Sequence, residues 1–130
     1  MNNLKNELDQ LSSLLKQIQS QEKEIDRIIK LITYALKKNK KVMICGNGGS
    51  AAEAQHLAAE FVVRLNPKVN RKAFPIIPLG NDASTLTACS NDYDFKYIFK
   101  RNFEAIKQSG DILLTLSTSG NSKNIIEVLK

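Results

Sequence analysis

Residues 41–60 join a short apolar, strand-like run to a glycine-rich turn, and the turn to a helical pattern. The turn (residues 46–50, GNGGS) is of the kind that leaves backbone N–H groups facing a ligand at the start of a helix, where an anion binds well. His56, the only histidine in the chain, follows in the helical segment, and Glu60 lies one turn later on the same face. This stretch therefore predicts a strand–turn–helix unit that carries an anion site.

The composition predicts one soluble globular domain, because 130 residues with 42% hydrophobic and 25% charged residues can bury a real core. The net charge of +6 comes mostly from residues 37–41 and 64–72. No aromatic residues interleave these basic clusters and no nucleic-acid-binding motif is present. We therefore expect no nucleic-acid partner, and a solvated surface that favours anionic small molecules.

The two cysteines and the N-terminal sequence indicate the cellular compartment in which the protein is expected. Cys45 and Cys89 lie among apolar or small residues without metal-type spacing, which predicts buried, reduced thiols. The N-terminus does not resemble a signal peptide, and no apolar run reaches membrane-spanning length. We expect a cytoplasmic protein with no membrane association.

Two amphipathic helices are predicted in residues 1–39, broken near Ser20, because leucine and isoleucine recur there at helical spacing. Their narrow apolar stripes need a partner surface, on this domain or on another subunit. The αβ core follows in residues 40–130. Its predicted strands are 42–45, 74–79 and 111–116, and its predicted helices are 50–64, 83–89, 95–107 and one that begins near Asn121.

Strands that alternate with helices predict an α/β fold with a doubly wound parallel sheet. Pro75 and Pro78 place the second strand at an edge or in an irregular position. The last helical pattern reaches Lys130 without a C-cap, and three strands make a small sheet. We therefore expect the sequence to be the N-terminal portion of a longer domain, incomplete at its C-terminus.

Two unusual loops follow predicted strands, at the carboxyl ends where open α/β sheets bind ligands. One is the turn at residues 46–50. The other, residues 117–122, offers four hydroxyl groups and a run of N–H donors that suit a phosphate. Such residues also serve as plain turns and helix caps. Two of these loops on one rim nevertheless favour a ligand site.

A dinucleotide site is a weaker interpretation of the first loop. Gly46, Gly48 and Ala51 satisfy the G-x-G-x-x-A fingerprint, which also expects an acidic residue about 20 positions later. Asp82 lies too far along the chain to fill that role. The sequence therefore disfavours a nicotinamide-dependent dehydrogenase.

His56 and Glu60, four residues apart on one helix, can reach a common point. Such a pair can ligate a metal such as zinc, place a carboxylate base beside an imidazole, or make a hydrogen bond on the helix surface. Two ligands do not complete a zinc site, so the others would come from water, another subunit or additional sequence. The sequence leaves these alternatives open.

Three motifs together resemble the sugar isomerase (SIS) domain, and closely the phosphoheptose isomerases of bacterial heptose and lipopolysaccharide precursor synthesis. They are GNGGSAAEAQHLAAEF at 46–61, TACSNDYDF at 87–95 and GDILLTLSTSGNSKNI at 110–125. The first motif is specific for this subgroup, whereas STSGNS is shared more widely. The resemblance runs over essentially the whole chain. It implies conversion of sedoheptulose 7-phosphate to D-glycero-D-manno-heptose 7-phosphate through an enediol, in a homotetramer with sites between subunits.

The resemblance also implies roles for residues at matching positions. The metal would be one zinc ion per subunit held by His56 and Glu60, and Glu60 would also be the catalytic acid/base. Asn91 and Asp92 would line the site from a neighbouring loop. The remaining sugar-phosphate contacts would be made by Asn47, Gly48, Gly49 and Ser50 on the sugar and by Ser117, Thr118, Ser119 and Ser122 on the phosphate.

Departures from the family pattern qualify these roles. The family usually has glycine where this chain has Val63 and Asp94, which could alter loop shape. Its second catalytic residue, a histidine, and its remaining zinc ligands lie in a C-terminal helix that this sequence lacks. We therefore expect residues 1–130 alone to have little or no isomerase activity.

Two non-enzymatic SIS proteins are alternatives. One is a regulator that binds the replication initiator, whose relatives typically lack the glutamate at the position of Glu60 and carry arginine in the STSGNS-type loop. This chain has Glu60 and has Ser119 in that loop, which favours the isomerase. The other is a sugar-phosphate sensor without chemistry.

Overall fold

The computed structural model describes residues 2–130 and divides into two compact units, one ending at Tyr34 and the other running Ala35–Lys130. Helices α1 (Asn2–Ser20) and α2 (Glu22–Lys37) are separated by Gln21 alone, close to the predicted break at Ser20. A one-residue link is too short for an antiparallel helical hairpin. Large apolar side chains of the first unit are consequently exposed, among them Leu4, Leu8, Leu11, Leu15, Ile18, Ile25, Ile28 and Ile29.

The second unit contains the predicted parallel sheet. Strands β1 (Val42–Gly46), β2 (Ile76–Pro78) and β3 (Ile112–Leu116) pair in the order β2-β1-β3. Val42 pairs with Ile76 on one side and with Ile112 on the other. Helices α3 (Gly49–Val62), α4 (Ala83–Asp92), α5 (Ile98–Ile106) and α6 (Lys123–Val128) connect or follow the strands, with a 3₁₀ turn at Phe95–Tyr97.

The central strand β1 is buried along its whole length. Its side chains alternate between the two faces of the sheet, so both faces are buried there. Met43 and Cys45 belong to the main apolar core, together with residues of the helices after β2 and β3: Leu79, Cys89, Ile98, Phe99, Ile125 and Val128. Helix α3 connects β1 to β2 and presents buried Ala54 and Ala58. The sheet is therefore covered by helices on both faces, which confirms the doubly wound α/β prediction.

Strand β2 is shorter than the predicted 74–79 and lies at an edge, as its prolines indicated. The Pro75 carbonyl still accepts a hydrogen bond from the Val42 N–H, but proline has no N–H to extend the ladder. The predicted helix at 95–107 begins instead as the 3₁₀ turn, because the Asp94 side chain accepts from the Lys96 N–H and starts a tighter turn.

Neither of the two departures from the family's glycines lies at a position with positive φ. Val63 has φ −94° and Asp94 has φ −168°, values that any L-residue adopts. Among residues 2–130, no helix is long and apolar enough to cross a membrane.

The amino end of the sheet is held by an ion pair between Lys41 and Asp111. The Asp111 carboxylate accepts from the Lys41 ammonium, from the Lys41 backbone N–H (3.0 Å) and from the Gln108 N–H (2.7 Å). Burial alone would raise the pKa of Asp111, but these hydrogen bonds outweigh it and hold the pKa below its usual value. The pair joins the starts of β1 and β3.

Candidate functional site

The loop after β1 depends on two glycines. A Cβ at Gly46 would lie 2.7 Å from the backbone of Ser50, so the chain can turn back on itself only with glycine there. Gly48 has φ +53°, in the left-handed region, and precedes the first turn of α3. Ser50 and Ala51 donate their N–H groups to the carbonyls of Asn47 and Gly48. The geometry of this turn follows directly from the glycines in the sequence.

The loop after β3 is organised by its own hydroxyl groups. Ser117 Oγ accepts from the Gly120 N–H at 3.0 Å, and Ser119 Oγ accepts from the Asn121 N–H at 3.2 Å. Because both hydroxyls act as acceptors in these bonds, their own hydrogens can be donated to a ligand. The hydroxyls of Thr118 and Ser122 have no hydrogen-bond partner among residues 2–130.

The two loops meet at the carboxyl ends of neighbouring strands, as the topology requires for β1 and β3. They border a small polar cavity of about 60 Å³. Its lining consists of Asn47, Ser50, Leu116, Ser117, Thr118 and Ser122. The structure thus brings together residues from both predicted ligand loops.

A residue that sequence reasoning did not single out ties the loops together. Asn124 in α6 donates to Asn47 Oδ1 at 2.8 Å, and Asn47 donates to Asn124 Oδ1 at 2.9 Å. Asn124 is only 2% exposed, and it is buried in the apolar core beside Ile125. The sequence signal available was a polar residue at a helical position that faces the core, beside Ile125 and Val128.

Asn91 and Asp92 are not in a loop, contrary to the expectation from the resemblance. They are the last two residues of α4, which extends beyond the predicted end at Cys89. Both are exposed, and Asn91 donates to the Asp92 carboxylate at 2.8 Å. Tyr93 caps the C-terminus of this helix, and the Arg101 guanidinium stacks on its ring at 4.2 Å.

His56 and Glu60 face each other near the C-terminal end of α3. His56 Nε2 lies 3.5 Å from Glu60 Oε1, and the side chains are 73% and 24% exposed. Two ligands of a tetrahedral zinc ion lie about 3.3–3.4 Å apart at ordinary bond lengths, so the pair fits two positions of such an ion. Within residues 2–130 no group of three or more His, Cys, Asp or Glu side chains converges to complete a metal site.

Arg71, from the basic loop, fixes the end of the helix that carries Glu60. Its guanidinium donates to the Glu60 carbonyl at 2.6 Å and to the Phe61 carbonyl at 2.7 Å. It also stacks on the Phe74 ring at 4.9 Å. Carbonyls in the last turn of a helix lack intrahelical partners, so Arg71 satisfies two of them. At least this cation of the basic loop is structural rather than part of a solvated surface.

Glu60 and the two loops line different cavities. Glu60 lines a mainly apolar cavity of about 260 Å³ with Leu57, Phe61, Leu65, Arg71 and Phe74. Glu60 follows Ser50 by ten residues on α3, which corresponds to a rise of about 15 Å along the helix axis. Within one chain, the carboxylate and the loop cavity are therefore at opposite ends of α3.

Both cysteines are free and buried, as predicted. Burial raises the pKa of Cys45 to about 12, because the thiolate would lose its hydration in the core. A thiol with such a pKa is not a nucleophile at neutral pH. Cys45 is therefore a packing residue of β1.

Comparison with known protein families gives a match to the SIS domain over residues 8–130. The chain is 47% identical over 127 residues to the phosphoheptose isomerase of Campylobacter concisus, covering 98% of this chain and 66% of that protein. It is 45% identical over 127 residues to the phosphoheptose isomerase of Clostridium acetobutylicum, covering 98% and 63%. The chain thus spans about two thirds of the length of these curated relatives.

Solved structures agree with these relatives. A phosphoheptose isomerase from Francisella tularensis superposes with a TM-score of 0.75 at 31% identity, covering 95% of this chain and 68% of that one. The phosphoheptose isomerase of Neisseria gonorrhoeae gives a TM-score of 0.69 at 33% identity, covering 94% and 66%.

Proposed function

The chain belongs to the SIS domain family, and from this membership we propose that it forms part of a phosphoheptose isomerase that acts on sedoheptulose 7-phosphate. The observation that carries the proposal is the polar cavity between the loops after β1 and β3, where uncommitted hydroxyl groups surround a space suited to a phosphate. The curated relatives are phosphoheptose isomerases, which supports an enzyme rather than a regulatory SIS protein.

The hydroxyl-rich loop would bind the phosphate group of the substrate. Its four hydroxyls are those of Ser117, Thr118, Ser119 and Ser122. The hydroxyls of Ser117 and Ser119 already accept backbone N–H bonds, and an accepting hydroxyl is polarised toward donating its own hydrogen. Several neutral donors hold a phosphate without a cationic side chain.

The glycine loop would face the sugar. Asn47 uses one donor and one acceptor in its pair with Asn124, which leaves a second amide hydrogen and a second lone pair for a sugar hydroxyl. Gly48 and Gly49 allow close approach of the sugar because they have no side chains, and no atom of the protein crowds either position. Ser50 would complete the surface of the glycine loop that faces the sugar. Asn91 and Asp92 would contact the sugar from the end of α4.

Glu60 would be the acid/base of the isomerisation. Its carboxylate would remove a proton from the carbon next to the ketose carbonyl, and it would return a proton to the former carbonyl carbon after the enediol forms. The hydroxyl proton on the first carbon would pass to the former carbonyl oxygen, which leaves an aldehyde and a new hydroxyl group. Arg71 fixes the backbone at Glu60, and His56 lies 3.5 Å from the carboxylate; both contacts support this role, because a proton transfer needs a positioned carboxylate.

Zinc is part of the proposal, with His56 and Glu60 as two of its ligands. Bound zinc would act as a Lewis acid on the substrate carbonyl. Metal analysis of the purified protein tests this, and we expect His56→Ala to reduce the zinc content. An unchanged zinc content in that variant would remove His56 from the ligand set.

We propose that each complete site combines two copies of the chain in a homo-oligomer, as a tetramer. The rise of about 15 Å between Ser50 and Glu60 supports this, because it exceeds the reach of one bound sugar phosphate in a single chain. The exposed apolar side chains of α1 and α2 supply surface for assembly. The free buried thiols of Cys45 and Cys89 support a cytoplasmic, reducing location.

The proposed function is tested in the complete isomerase of which this chain would form part, by substituting Glu60→Gln and measuring binding and turnover separately. We expect the variant to bind sedoheptulose 7-phosphate within about threefold of the unsubstituted protein and to lose at least about 100-fold in isomerisation rate. Glu53→Gln is the matched control, because Glu53 is an exposed glutamate on the same helix. Equal turnover in both variants would exclude Glu60 as the acid/base.

A mixing experiment tests the shared site. In the complete isomerase, chains carrying Glu60→Gln would retain the phosphate loop, and chains carrying Thr118→Val with Ser122→Ala would retain Glu60. If sites combine two copies, mixed oligomers contain some sites with both wild-type halves, so activity returns on mixing. If each chain holds its own site, mixing restores nothing.

A further inference from the structure

The reciprocal amide pair between Asn47 and Asn124 joins two segments that are 77 residues apart in sequence. Asn47 lies in the loop after β1, and Asn124 lies in α6, directly after the hydroxyl-rich loop. A side-chain amide presents one acceptor and one donor on the same edge, so two of them can pair face to face through two hydrogen bonds. The distances of 2.9 and 2.8 Å are those of well-formed bonds.

The burial of the two amides is unequal. Asn124 is 2% exposed, whereas Asn47 is half-buried and lines the loop cavity. A buried amide without a partner loses its hydration with nothing in return, so Asn124 is stable in the core while Asn47 remains paired with it. Asn124 in turn restricts the rotation of the Asn47 amide to one orientation.

We infer that Asn124 is a positioning residue that orients the Asn47 amide, and with it the glycine loop, toward a sugar phosphate bound in the cavity. This inference rests on the proposed function for the identity of the ligand. Asn124 itself does not line the cavity. Its effect on the ligand would pass through Asn47, the residue that does.

The orientation matters because the two ends of an amide are chemically different. With one donor and one acceptor paired to Asn124, the remaining amide hydrogen and lone pair of Asn47 have fixed directions. A sugar hydroxyl can then be bound without an entropy cost for ordering the side chain. Inorganic phosphate, held by the hydroxyl-rich loop, does not need this orientation.

The substitution Asn124→Leu distinguishes the orientation of Asn47 from the packing of the core, because it keeps a side chain of similar shape but removes the amide. Leucine has nearly the same shape as asparagine, and the neighbours Ile125 and Val128 are apolar, so the core can accept it. Asn47, being half-exposed, can then bond to water and becomes free to rotate. Asn102→Leu is the control, because Asn102 is likewise an asparagine within a helix, is half-buried, and bonds to a helix carbonyl, that of Ile98 at 2.8 Å, away from the loops.

The experiment measures calorimetric binding of sedoheptulose 7-phosphate and of inorganic phosphate to the 130-residue chain and its variants. We expect Asn124→Leu to weaken sedoheptulose 7-phosphate binding at least about tenfold and phosphate binding less than about threefold. The control should change neither. Wild-type affinity for the sugar phosphate in a folded Asn124→Leu variant would overturn the inference.

A ligand-free measurement keeps the inference distinct from the proposed function. In NMR spectra, the Asn47 side-chain NH₂ should be protected from solvent exchange, and Asn124→Leu should abolish that protection and speed amide exchange in residues 48–50. If the chain binds no sedoheptulose 7-phosphate but shows these changes, the proposed function fails while Asn124 still positions the loop. An unprotected Asn47 NH₂ in the unsubstituted chain would overturn the inference, even if Asn124→Leu does not fold.

Discussion

The two ends of the parallel sheet are built from different chemistry. At the amino end, charged side chains are fully committed: Asp111 accepts three hydrogen bonds, and Arg71 fastens the carbonyls of Glu60 and Phe61. At the carboxyl end, glycines determine the conformation of the loop after β1. Hydroxyl groups that accept backbone hydrogen bonds, and keep their own hydrogens as donors, organise the loop after β3. The charged groups at the amino end use their hydrogen bonds within the protein and so stabilise the fold. The hydroxyl groups at the carboxyl end still have hydrogens that they can donate to a ligand.

Helix α3 connects the two ends. It starts in the glycine loop and runs back, because β1 and β2 are parallel and a helix that joins them must return to the amino end. The proposed acid/base Glu60 therefore lies at the amino end of the sheet, and the proposed phosphate loop lies at the carboxyl end, which we call the open end. This separation is the reason for the proposal that a site needing both would be completed by another copy of the chain.

Gly46→Ala should have the largest effect and tests whether the open end is rigid. The added Cβ would lie 2.7 Å from the Ser50 backbone, which cannot move without displacing the start of α3. We expect the free energy of unfolding to fall by about 3 kcal/mol. Urea denaturation measures this.

Gly49→Ala is the control for this prediction. No atom lies within 4 Å of a Cβ at Gly49, which is the first residue of α3, so alanine should be neutral or stabilise by up to about 1 kcal/mol. Equal losses for Gly46→Ala and Gly49→Ala would show that close packing at Gly46 does not shape the loop.

Arg71→Leu should have the next largest effect, at the amino end. It removes two hydrogen bonds from a charged group to helix carbonyls and the stacking on Phe74. We expect a loss of about 2 kcal/mol in unfolding free energy and faster amide exchange in the last turn of α3. Arg64→Leu, at an exposed arginine of the same loop, should change neither quantity. Similar losses in the two variants would mean that Arg71 does not cap the helix.

The sequence predicted the open end better than the amino end. Glycine at Gly46 and Gly48, and hydroxyl residues after β3, are local signals because the backbone conformation of a turn depends on the residues inside it. The parallel sheet followed from the alternation of strands and helices, and the edge position of β2 followed from its prolines. The resemblance correctly indicated the family, and the two N-terminal helices and the buried cysteines were also predicted.

The parts that sequence reasoning missed are pairings across long separations. Asn124 is an ordinary helical position until Asn47, 77 residues away, is placed against it. Arg71 looked like one cation in a solvated cluster until its loop folded back to the end of α3. The resemblance implied that Asn91 and Asp92 lie in a loop, but they belong to α4, which ends three residues later than predicted. Tertiary hydrogen bonds of this kind leave no local pattern in one sequence.

Asp111→Asn tests whether the charge of Asp111 stabilises the amino end of the sheet, through the pH dependence of the free energy of unfolding. The pKa of Asp111 is lower in the folded chain than in the unfolded chain, so its ionised form stabilises the fold above the unfolded pKa of about 3.9, and this contribution disappears as the pH falls through the folded pKa. An asparagine side chain at this position keeps the shape but not the charge. We expect the variant to be less stable by about 1.5 kcal/mol at pH 7, and the difference to shrink below about pH 4.

Measurement of unfolding free energy from pH 7 to pH 3 checks this prediction. Asp92→Asn serves as the control, because Asp92 is exposed at the end of α4 and makes no ion pair within residues 2–130. A stability difference between the Asp111→Asn variant and the unsubstituted chain that stays constant over this pH range would show that the charge of Asp111 contributes nothing.

Thr118→Val should have the smallest effect and acts on binding alone. The Thr118 side chain is exposed at the open end and its hydroxyl makes no hydrogen bond within residues 2–130, so its loss leaves the free energy of unfolding unchanged. One donor to the phosphate is lost, which corresponds to about 1 kcal/mol, or about fivefold weaker binding of inorganic phosphate. Thr33→Val, at an exposed threonine of α2, should leave phosphate binding unchanged. Retained phosphate affinity in Thr118→Val would move the phosphate to other hydroxyls, whereas lost stability would mean that this hydroxyl is committed to the fold after all.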